Sequence, residues 1–272
     1  MNDTTSSEII GHYLTHITGR SFSPFTIRRR KSSLTGFARW VAPVNLLDAD
    51  GEMIEEWVSL FVAARTRHAY RSDLSAFFGW AVRRRLVTRN PVADTDAIRV
   101  PRGLPRPVPA DEIRFIVMSA PGHLRLALAL AAYAGLRRSE IVALSSDDIA
   151  LHSSPPVLAV RDGKGSKDRL VPLHPILLTM LERRHTQGRL IPWTPDGLGQ
   201  RAARHIRACG SDHTLHHLRA SFATELARVT KGNVVMVSRM LGHDNVTTSM
   251  TYVGWSGGDG GAAVDAMFGG AA

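Results

Sequence analysis

The amino-acid sequence predicts a mainly α-helical protein with one small antiparallel sheet, an α+β fold built as two domains. Three observations support this prediction. Apolar side chains recur at helical spacing through the first third of the chain and again after residue 109. One segment, from Pro156 to Leu173, has two short apolar runs on either side of a polar, glycine-containing turn, as a β-hairpin does. A proline-rich stretch over residues 98 to 109 separates the two halves.

The first third of the chain carries four predicted helices. Ile10, Leu14 and Ile17 share one face of the first helix. Ser23 is a good N-cap and Pro24 suits the first helical position, so the two mark the start of the second helix. The four helices are predicted from Ser6 to Thr18, from Pro24 to about Val41, from Glu52 to Ala64, and from about Thr66 to about Leu86.

The segment between the halves contains Pro101, Pro105, Pro107 and Pro109. This composition gives an extended and semi-rigid chain, which suits an interdomain linker. The predicted organisation is therefore a helical domain over residues 1–98, a linker over 99–108, a second domain over 109–256 and a C-terminal tail over 257–272.

The second domain is predicted to open with a helix, because Asp111 and Glu112 suit the positive end of the helix dipole. An alanine- and leucine-rich helix follows from His123 to Ala134, and its composition predicts that it is buried. Gly135 is its expected C-cap.

The charge of the chain favours a polyanionic partner. The 272 residues carry a formal net charge of +10, from 34 basic and 24 acidic side chains. The lysines are Lys31, Lys164, Lys167 and Lys231, so nearly all of the basic residues are arginines. Guanidinium groups match phosphate oxygens and base edges, and the composition therefore favours nucleic acid.

The sequence gives no sign of secretion or of a membrane span. No signal-peptide pattern is present, and the longest apolar stretch is too short to cross a bilayer. The single cysteine, Cys209, cannot form an internal disulfide, which is typical of a reducing compartment. We expect a cytoplasmic protein without membrane association.

Four separated motifs contain the residue types that phosphate chemistry requires. They are Ala-Gly-Leu-Arg-Arg-Ser-Glu-Ile over 134–141, the hairpin turn Gly163-Lys164-Gly165, His-His-Leu-Arg over 216–219, and Leu-Gly-His over 241–243 followed nine positions later by Tyr252. In this order they resemble the tyrosine recombinase (phage integrase) family, which includes the Xer recombinases. The resemblance extends from about Ser6 to Tyr252, and it is specific because all four motifs agree in order and spacing.

The resemblance implies a site-specific DNA recombinase whose two domains form a C-shaped clamp around duplex DNA core sites. It implies cleavage through a 3′-phosphotyrosyl link, strand exchange by a homotetramer through a Holliday junction, and no metal or nucleotide cofactor. The first helix begins near Ser6. We therefore expect a simple form that lacks the N-terminal arm-binding domain of many integrases.

The family's catalytic roles carry over to six residues of this sequence. Fixed cationic donors stabilise charge that builds on a phosphate under attack, and a phenol with an ordinary pKa of about 10 needs positive surroundings to lose its proton. By resemblance, the nucleophile is Tyr252, the phosphate-gripping pair is Arg137 and Arg219, the proton acceptor is His216, the general acid is Lys164, and a further phosphate hydrogen-bond donor is His243. Glu140 is expected to support the arginines without reacting.

Two neighbouring residues compete for these roles. Arg138 adjoins Arg137, which is preferred because it follows Gly135-Leu136 directly, where the family places its arginine. Lys167 lies in the same turn as Lys164, and the family pattern Gly-Lys-Gly-x-Lys favours the first lysine.

The histidines at 213, 216 and 217 form a cluster that would be considered for metal binding. No cysteine or second histidine pair completes a ligand set at a familiar spacing, so we expect no metal site. His217 occupies the variable position of the family motif and is not expected to be catalytic.

Basic residues outside the motifs are candidate DNA contacts, because phosphate contacts supply much of the affinity of DNA-binding proteins. In the first domain they are Arg28, Arg29, Arg30, Arg67 and Arg71. In the second domain Arg201, Arg204 and Arg207 recur at helical spacing, and Gln200 is a candidate base reader.

The expected task is integration or excision of a phage or other mobile element, with an accessory directionality factor as a candidate partner. The alternatives are Xer-like resolution of dimers, a type IB topoisomerase, and a DNA-binding protein that has lost catalysis. In the tail, Val264, Met267 and Phe268 are candidates for docking onto a neighbouring protomer, as the resemblance implies for a segment beyond the tyrosine. The terminal Ala271-Ala272 resembles the end of bacterial degradation tags.

Overall fold

A computed structural model describes residues 5–20, 22–101, 106–161, 168–182, 187–242 and 250. The chain divides into two compact units, Met1–Gly103 and Leu104–Ala272. The division falls inside the proline-rich linker. Helices predominate in both units, and the described ranges contain three short strands, so the predicted α+β fold class is confirmed. No helix in these ranges is long and apolar enough to cross a bilayer.

The described residues of the first unit form four α-helices: α1 (Ser6–Thr18), α2 (Pro24–Val41), α3 (Gly51–Ser59) and α4 (Ala64–Arg83). The bounds of α1 and α2 agree with the prediction. The Ser23 side chain accepts a hydrogen bond from the backbone N–H of Thr26, as an N-cap does. The prediction that α3 extends to Ala64 is wrong. The chain leaves the helix at Leu60 and places the ring of Phe61 edge-on against both Trp57 and Tyr70, which stack on each other.

Aromatic rings fill the core of the first unit. Tyr13 of α1 and Phe77 of α4 meet edge to face, with their ring centroids 5.4 Å apart. The ring centroids of Phe37 in α2 and Trp57 in α3 are 5.2 Å apart. Burial of such large apolar rings, together with their edge contacts, accounts for the association of the four helices.

The second unit contains seven described helices built around a central one. They are α5 (Ala110–Ser119), α6 (Gly122–Tyr133), α7 (Arg138–Ala143), α8 (Pro175–Glu182), α9 (Pro195–Ala208), α10 (Leu215–Val229) and α11 (Val234–Leu241). Helix α6 is buried from Leu124 to Ala132 with the exception of its exposed Arg125. It packs against α5, α8 and α10.

The three strands of the second unit form one antiparallel sheet in the order β1 (Ile149–Ala150), β2 (Val157–Val160) and β3 (Arg169–Pro172). Leu158 pairs with Val171, and both side chains are buried in the core. The predicted hairpin of β2 and β3 is confirmed. The turn at 162–167 lies outside the described residues. Strand β1 was not predicted, because two residues are too few to show an alternating pattern.

Candidate active site

A buried carboxylate, that of Glu140, lies at the centre of the candidate site. Glu140 occupies the third position of α7, and its Oε2 accepts a 2.7 Å hydrogen bond from the backbone N–H of Arg137, the residue that precedes the helix. A glutamate at this position is well placed to reach back to the residue before a helix. The local sequence therefore turns the carboxylate toward Arg137.

Three arginines from three separate elements surround this carboxylate. Arg137 donates from Nη1 to Oε1 at 2.7 Å. Arg169 of β3 donates from Nη1 and Nη2 to the two carboxylate oxygens at 3.0 and 2.7 Å. Arg219 of α10 brings its Nη1 within 3.7 Å of Oε2. One negative charge thus organises three positive charges, and the cluster keeps an excess of positive charge.

Burial and hydrogen bonding act in opposite directions on Glu140, whose side chain is 5% exposed. Burial raises the pKa of this carboxyl, but the hydrogen bonds from Arg169 and Arg137 outweigh it and hold the pKa below its ordinary value. Glu140 is therefore ionised at neutral pH. It is suited to hold the arginines in place and unsuited to act as an acid.

The same three arginines also hold the C-terminal end of α11. The last carbonyls of a helix lack partners within it, and the helix dipole makes that end attractive to cations. Each of three successive carbonyls accepts a bond from a different arginine: Met240 from Nε of Arg169 at 2.9 Å, Leu241 from Nη2 of Arg219 at 2.8 Å, and Gly242 from Nη2 of Arg137 at 2.5 Å. The arginine cluster thereby fixes the end of the helix that leads, in sequence, to His243 and Tyr252.

Arg219 is tied to the turn after α6 as well. Gly135 follows the end of α6 with a φ of +64°, and its carbonyl oxygen accepts a hydrogen bond from Nη1 of Arg219. The bond between the N–H of Leu136 and the carbonyl of Leu130 completes the turn that a left-handed glycine allows. A Cβ at Gly135 would lie 2.4 Å from the ring of Phe222 in α10, so the close approach of α6 and α10 requires glycine here.

His216 and Arg219 lie three residues apart in α10, which places them on neighbouring positions of one helix side. His216 is exposed, whereas Arg219 is buried with 6% of its side chain accessible. His217 points elsewhere: its Nδ1 lies 3.3 Å from Nδ1 of His213. Burial, together with the nearby charges of His213 and Arg106, lowers the pKa of His217. In the described ranges no group of three or more His, Cys, Asp or Glu side chains is arranged to hold a metal ion.

The structure separates Arg137, which precedes α7, from its rival Arg138, the first residue of that helix. Arg137 turns to Glu140 and to the end of α11, and 36% of its side chain is exposed. Arg138 forms an ion pair with Asp196 of α9 at 3.2 Å. The arrangement therefore gathers Arg137, Glu140 and Arg219 into one cluster and leaves Arg138 outside it.

Several predicted residues lie outside the described residues. They are the catalytic candidates Lys164, His243 and Tyr252, the rival Lys167, and the tail residues Val264, Met267, Phe268, Ala271 and Ala272. Their roles stay predictions.

The predicted DNA contacts of the first unit fall into two groups. Arg29, Arg30 and Arg71 make internal contacts: Arg29 donates two hydrogen bonds to Asp73 at 3.1 and 2.6 Å, Arg30 donates to the Tyr13 hydroxyl at 2.8 Å, and Arg71 binds Thr95 and the carbonyl of Val92. Arg28 is exposed and Arg67 is half-buried. Of the five, Arg28 has the most accessible position.

The predicted stripe on the second unit is exposed along α9. Gln200, Arg201, Arg204 and Arg207 all have exposed side chains. Arg201 lies over the ring of Trp193, with its guanidinium carbon 4.9 Å from the ring centroid. The buried face of this helix is formed by Leu198, Ala202 and Ile206, so the stripe lies on the opposite, accessible side.

Sequence reasoning missed Arg169. It lies in β3, where alternate residues are buried, and it shares the buried side of the strand with Val171. An arginine in phase with core residues of a strand has to meet a carboxylate or carbonyls. That alternation, read together with the glutamate at 140, was a signal available in the sequence.

Comparison with known proteins shows what this chain is similar to. A family model described as the phage integrase family matches residues 109–256, which is more than half of the chain. A tyrosine recombinase of Thermosipho africanus (strain TCF52B) is 28% identical over 277 residues, which cover 90% of this chain and 93% of that protein. Tyrosine recombinase XerC of Alcanivorax borkumensis (strain SK2) is 31% identical over 215 residues, or 70% of this chain and 69% of that protein.

Solved structures share the fold. A lambda integrase tetramer bound to a Holliday junction matches with a TM-score of 0.75 and 21% identity, over 92% of this chain and 78% of that one. XerH site-specific recombinase bound to a palindromic difH substrate matches with a TM-score of 0.73 and 19% identity, over 96% of this chain and 84% of that one. From its family match and its relatives, this chain belongs to the phage integrase family and is a tyrosine recombinase, an enzyme that cleaves and rejoins DNA strands.

Proposed function

We propose that this recombinase acts on short core sites in duplex DNA and that Tyr252 is its nucleophile. The phenol oxygen attacks the scissile phosphorus and the bond from phosphorus to the 5′ oxygen breaks. The enzyme is then linked to the 3′ phosphate, and a 5′-hydroxyl leaves. Attack by the 5′-hydroxyl of a partner strand reverses the step, so the energy of the broken bond is kept in the phosphotyrosyl ester and no nucleotide is consumed.

The surroundings of the other three tyrosines support the choice of Tyr252. Tyr13 is buried, and its hydroxyl accepts a hydrogen bond from Arg30. Tyr70 stacks against a tryptophan in the first unit. Tyr133 stacks on His174, and burial raises the pKa of its phenol, which opposes the loss of a proton. None of these three is built to attack a phosphate.

The observation that carries the proposal is the cluster of Arg137 and Arg219 around Glu140. Attack on a phosphodiester adds negative charge to oxygens that are already anionic, and fixed cationic donors stabilise that charge without having to reorganise. Arg137 is the partly exposed member, so we assign it the direct phosphate contact together with Arg219. His216 is exposed on α10, three residues before Arg219, and we assign it the role of accepting the proton from Tyr252. We assign Lys164 the role of general acid, which donates a proton to the leaving 5′ oxygen.

Domain roles follow from the same proposal. The unit Leu104–Ala272 contains the arginine cluster and is the proposed catalytic domain. The unit Met1–Gly103 is the proposed core-binding domain, and Arg28 is its best-placed phosphate contact. The exposed α9 stripe is proposed as the main contact surface of the catalytic domain, with Gln200 reading a base edge. An enzyme with this substrate works where the DNA is, in the cytoplasm.

We further propose a homotetramer that exchanges strands in two rounds through a Holliday junction. The lambda integrase structure with the same fold is a tetramer on such a junction, which supports this assembly by analogy. Integration or excision of a mobile element, with a directionality factor, is the task we assign. Xer-like dimer resolution is the second candidate, and its support is that relatives of this chain include XerC and XerD proteins. The DNA next to the gene separates the two, because an integrated element leaves its core site repeated at its ends.

Nicked duplexes that cover the DNA flanking the gene test the proposed chemistry. A nick next to the cleavage site lets the short product strand diffuse away, so the covalent intermediate accumulates. The expected result is a protein–DNA adduct that survives denaturant with the wild-type chain and is absent with Tyr252→Phe. An adduct that persists in Tyr252→Phe would contradict the assignment of the nucleophile. A wild-type chain that binds these duplexes without forming an adduct would favour the DNA-binding protein that has lost catalysis. Relaxation of a supercoiled plasmid without strand exchange would favour the topoisomerase.

A further inference from the structure

Arg169 is a buried arginine to which the proposed chemistry gives no role. Only 7% of its side chain is exposed, whereas 36% of that of Arg137 is. It begins β3, directly after the turn that carries Lys164. Removing a guanidinium this completely from water carries a large penalty, which an ion pair offsets only when its geometry is good and the remaining N–H groups are hydrogen-bonded. The hydrogen bonds of Arg169 therefore need favourable geometry.

All three nitrogens of Arg169 are engaged. Nη1 and Nη2 form a two-pronged bond to the carboxylate of Glu140 at 3.0 and 2.7 Å. Nε donates to the carbonyl of Met240 at 2.9 Å. A planar guanidinium can satisfy a carboxylate and a third acceptor at once, whereas a lysine ammonium would reach them only as a point charge. Arg169 thus connects β3, α7 and the end of α11.

Gly242 shows that the end of α11 is shaped around this side chain. Its φ is +63°, and a Cβ there would lie 2.7 Å from Nη1 of Arg169. The glycine of the Leu-Gly-His motif is therefore required twice, once for its left-handed backbone and once for the close approach of Arg169. His243 follows directly in the sequence.

We propose that Arg169 is a positioning residue for strand cleavage, an inference that rests on the proposed function. Through Glu140 it orients Arg137, and through Met240 it fixes the end of the helix that leads to His243 and Tyr252. As the first residue of β3 it also anchors one end of the turn that carries Lys164. It does not touch the substrate. Its loss should therefore slow the chemical step and leave DNA affinity unchanged.

The primary test is Arg169→Lys, which keeps the charge and removes the planar fork. The matched control is Arg161→Lys, on the other side of the same turn, where an arginine with 67% of its side chain exposed pairs with Asp148. Single-turnover adduct formation on a nicked duplex is measured over a range of protein concentrations. This separates the maximal rate from the half-saturating concentration.

Arg169→Lys is expected to lower the maximal rate about 100-fold, the size of effect that a misplacement of about 1 Å produces. The half-saturating concentration should stay within about threefold of wild type, and Arg161→Lys should match wild type in both quantities. A maximal rate within threefold of wild type would overturn the inference. An equal loss in affinity would also overturn it, since Arg169 would then act in binding.

A second pair of variants keeps the inference testable if Arg169→Lys does not fold, as judged by lost amide protection in α6. Gly242→Ala keeps the arginine at position 169 but forces its side chain to shift. Gly210→Ala is its control, because Gly210 has a φ of +79° and open space around its Cβ position. Both variants bear the strain of a left-handed alanine. Gly242→Ala should lose at least tenfold more rate than Gly210→Ala, and equal rates would overturn the inference.

A failure of the proposed function would look different. In that case the wild-type chain itself would form no adduct on any duplex. The inference would then depend on hydrogen exchange: Arg169→Lys must speed exchange in the last turn of α11 at least tenfold, while Arg161→Lys leaves it unchanged. Equal exchange in the two variants would overturn the inference as well.

Discussion

Replacement of Glu140 tests whether one carboxylate holds the arginine cluster together. Glu140→Gln keeps the shape of the side chain and removes its charge. The carboxylate accepts four hydrogen bonds, from the backbone and Nη1 of Arg137 and from both terminal nitrogens of Arg169. The amide nitrogen of glutamine is a donor, so two of these four bonds would be replaced by donor–donor contacts. Arg169 and Arg219, 7% and 6% exposed, would lose their counter-charge.

The size of the effect follows from two independent estimates. Hydrogen bonds to charged groups contribute roughly 1.5–3 kcal/mol each. Breaking a buried ion pair from one side costs roughly 3–5 kcal/mol. Two lost bonds therefore give about 3–6 kcal/mol and the broken ion pair about 3–5 kcal/mol, so the free energy of unfolding of the second unit should fall by about 3–5 kcal/mol.

Hydrogen exchange with mass spectrometry measures this loss element by element. The free energy of opening for amides in α10 should fall by about 3–5 kcal/mol. Amides of α4 in the first unit serve as an internal reference. The matched control is Glu225→Gln, because Glu225 also accepts two bonds from an arginine, Arg228, but is 61% exposed. A surface pair of this kind contributes about 0–1 kcal/mol. Equal and small effects of the two substitutions would refute the idea that Glu140 organises the site.

The same comparison has a defined pH dependence. Glu140 has a folded-state pKa below its ordinary value of 4.5 despite the opposing effect of burial, because Arg169 and Arg137 bind its ionised form. A group with a lowered pKa stabilises the fold fully above its unfolded-state pKa, and that stabilisation is lost as pH falls through the folded-state value. The difference between wild type and Glu140→Gln should therefore be constant above about pH 5 and shrink below pH 4.5. A difference that grows as the solution is acidified would contradict the assignment of an ionised carboxylate.

Three further substitutions test other parts of the account. Asp73→Ala removes the fully buried partner of Arg29 and should destabilise the first unit by about 2 kcal/mol, measured as faster exchange in α4 with α6 unaffected. Gly135→Ala introduces a Cβ 2.4 Å from Phe222 at a left-handed position and should cost about 2–4 kcal/mol in thermal or urea unfolding of the second unit. Arg204→Ala, on the exposed side of α9, should weaken DNA binding uniformly across sequences and lower the slope of log Kd against log salt by about 1, measured by titration at several salt concentrations. An unchanged slope would remove Arg204 from the DNA surface.

Local signals in the sequence were enough to predict most of the fold. The helical spacing of apolar residues and the Ser23-Pro24 start placed α1 and α2 at the bounds that the structure shows. The end of α3 could not be predicted, because it depends on Phe61 packing against Tyr70, a residue of the next helix. Strand β1 could not be predicted because it is too short to carry a pattern.

The site was predictable in its residue types and less so in its contacts. Motif order indicated Arg137, Glu140 and Arg219, and the structure brings these three together. The sequence could not show that Arg29 binds Asp73, because that pair joins residues 44 positions apart on different helices. For Arg169 the sequence held a partial signal, its alternation with the apolar Val171, but the carboxylate of Glu140 and the carbonyl of Met240 that bind it are brought to it by the fold.

The most direct test is to identify the residue to which the DNA becomes covalently linked. Adduct formed on a nicked duplex is digested with nuclease and protease, and mass spectrometry locates the residual nucleotide in the peptide map. We expect a 3′-linked nucleotide on the peptide that contains Tyr252 and on no peptide that contains Tyr13, Tyr70 or Tyr133. A nucleotide on any other residue would contradict this expectation.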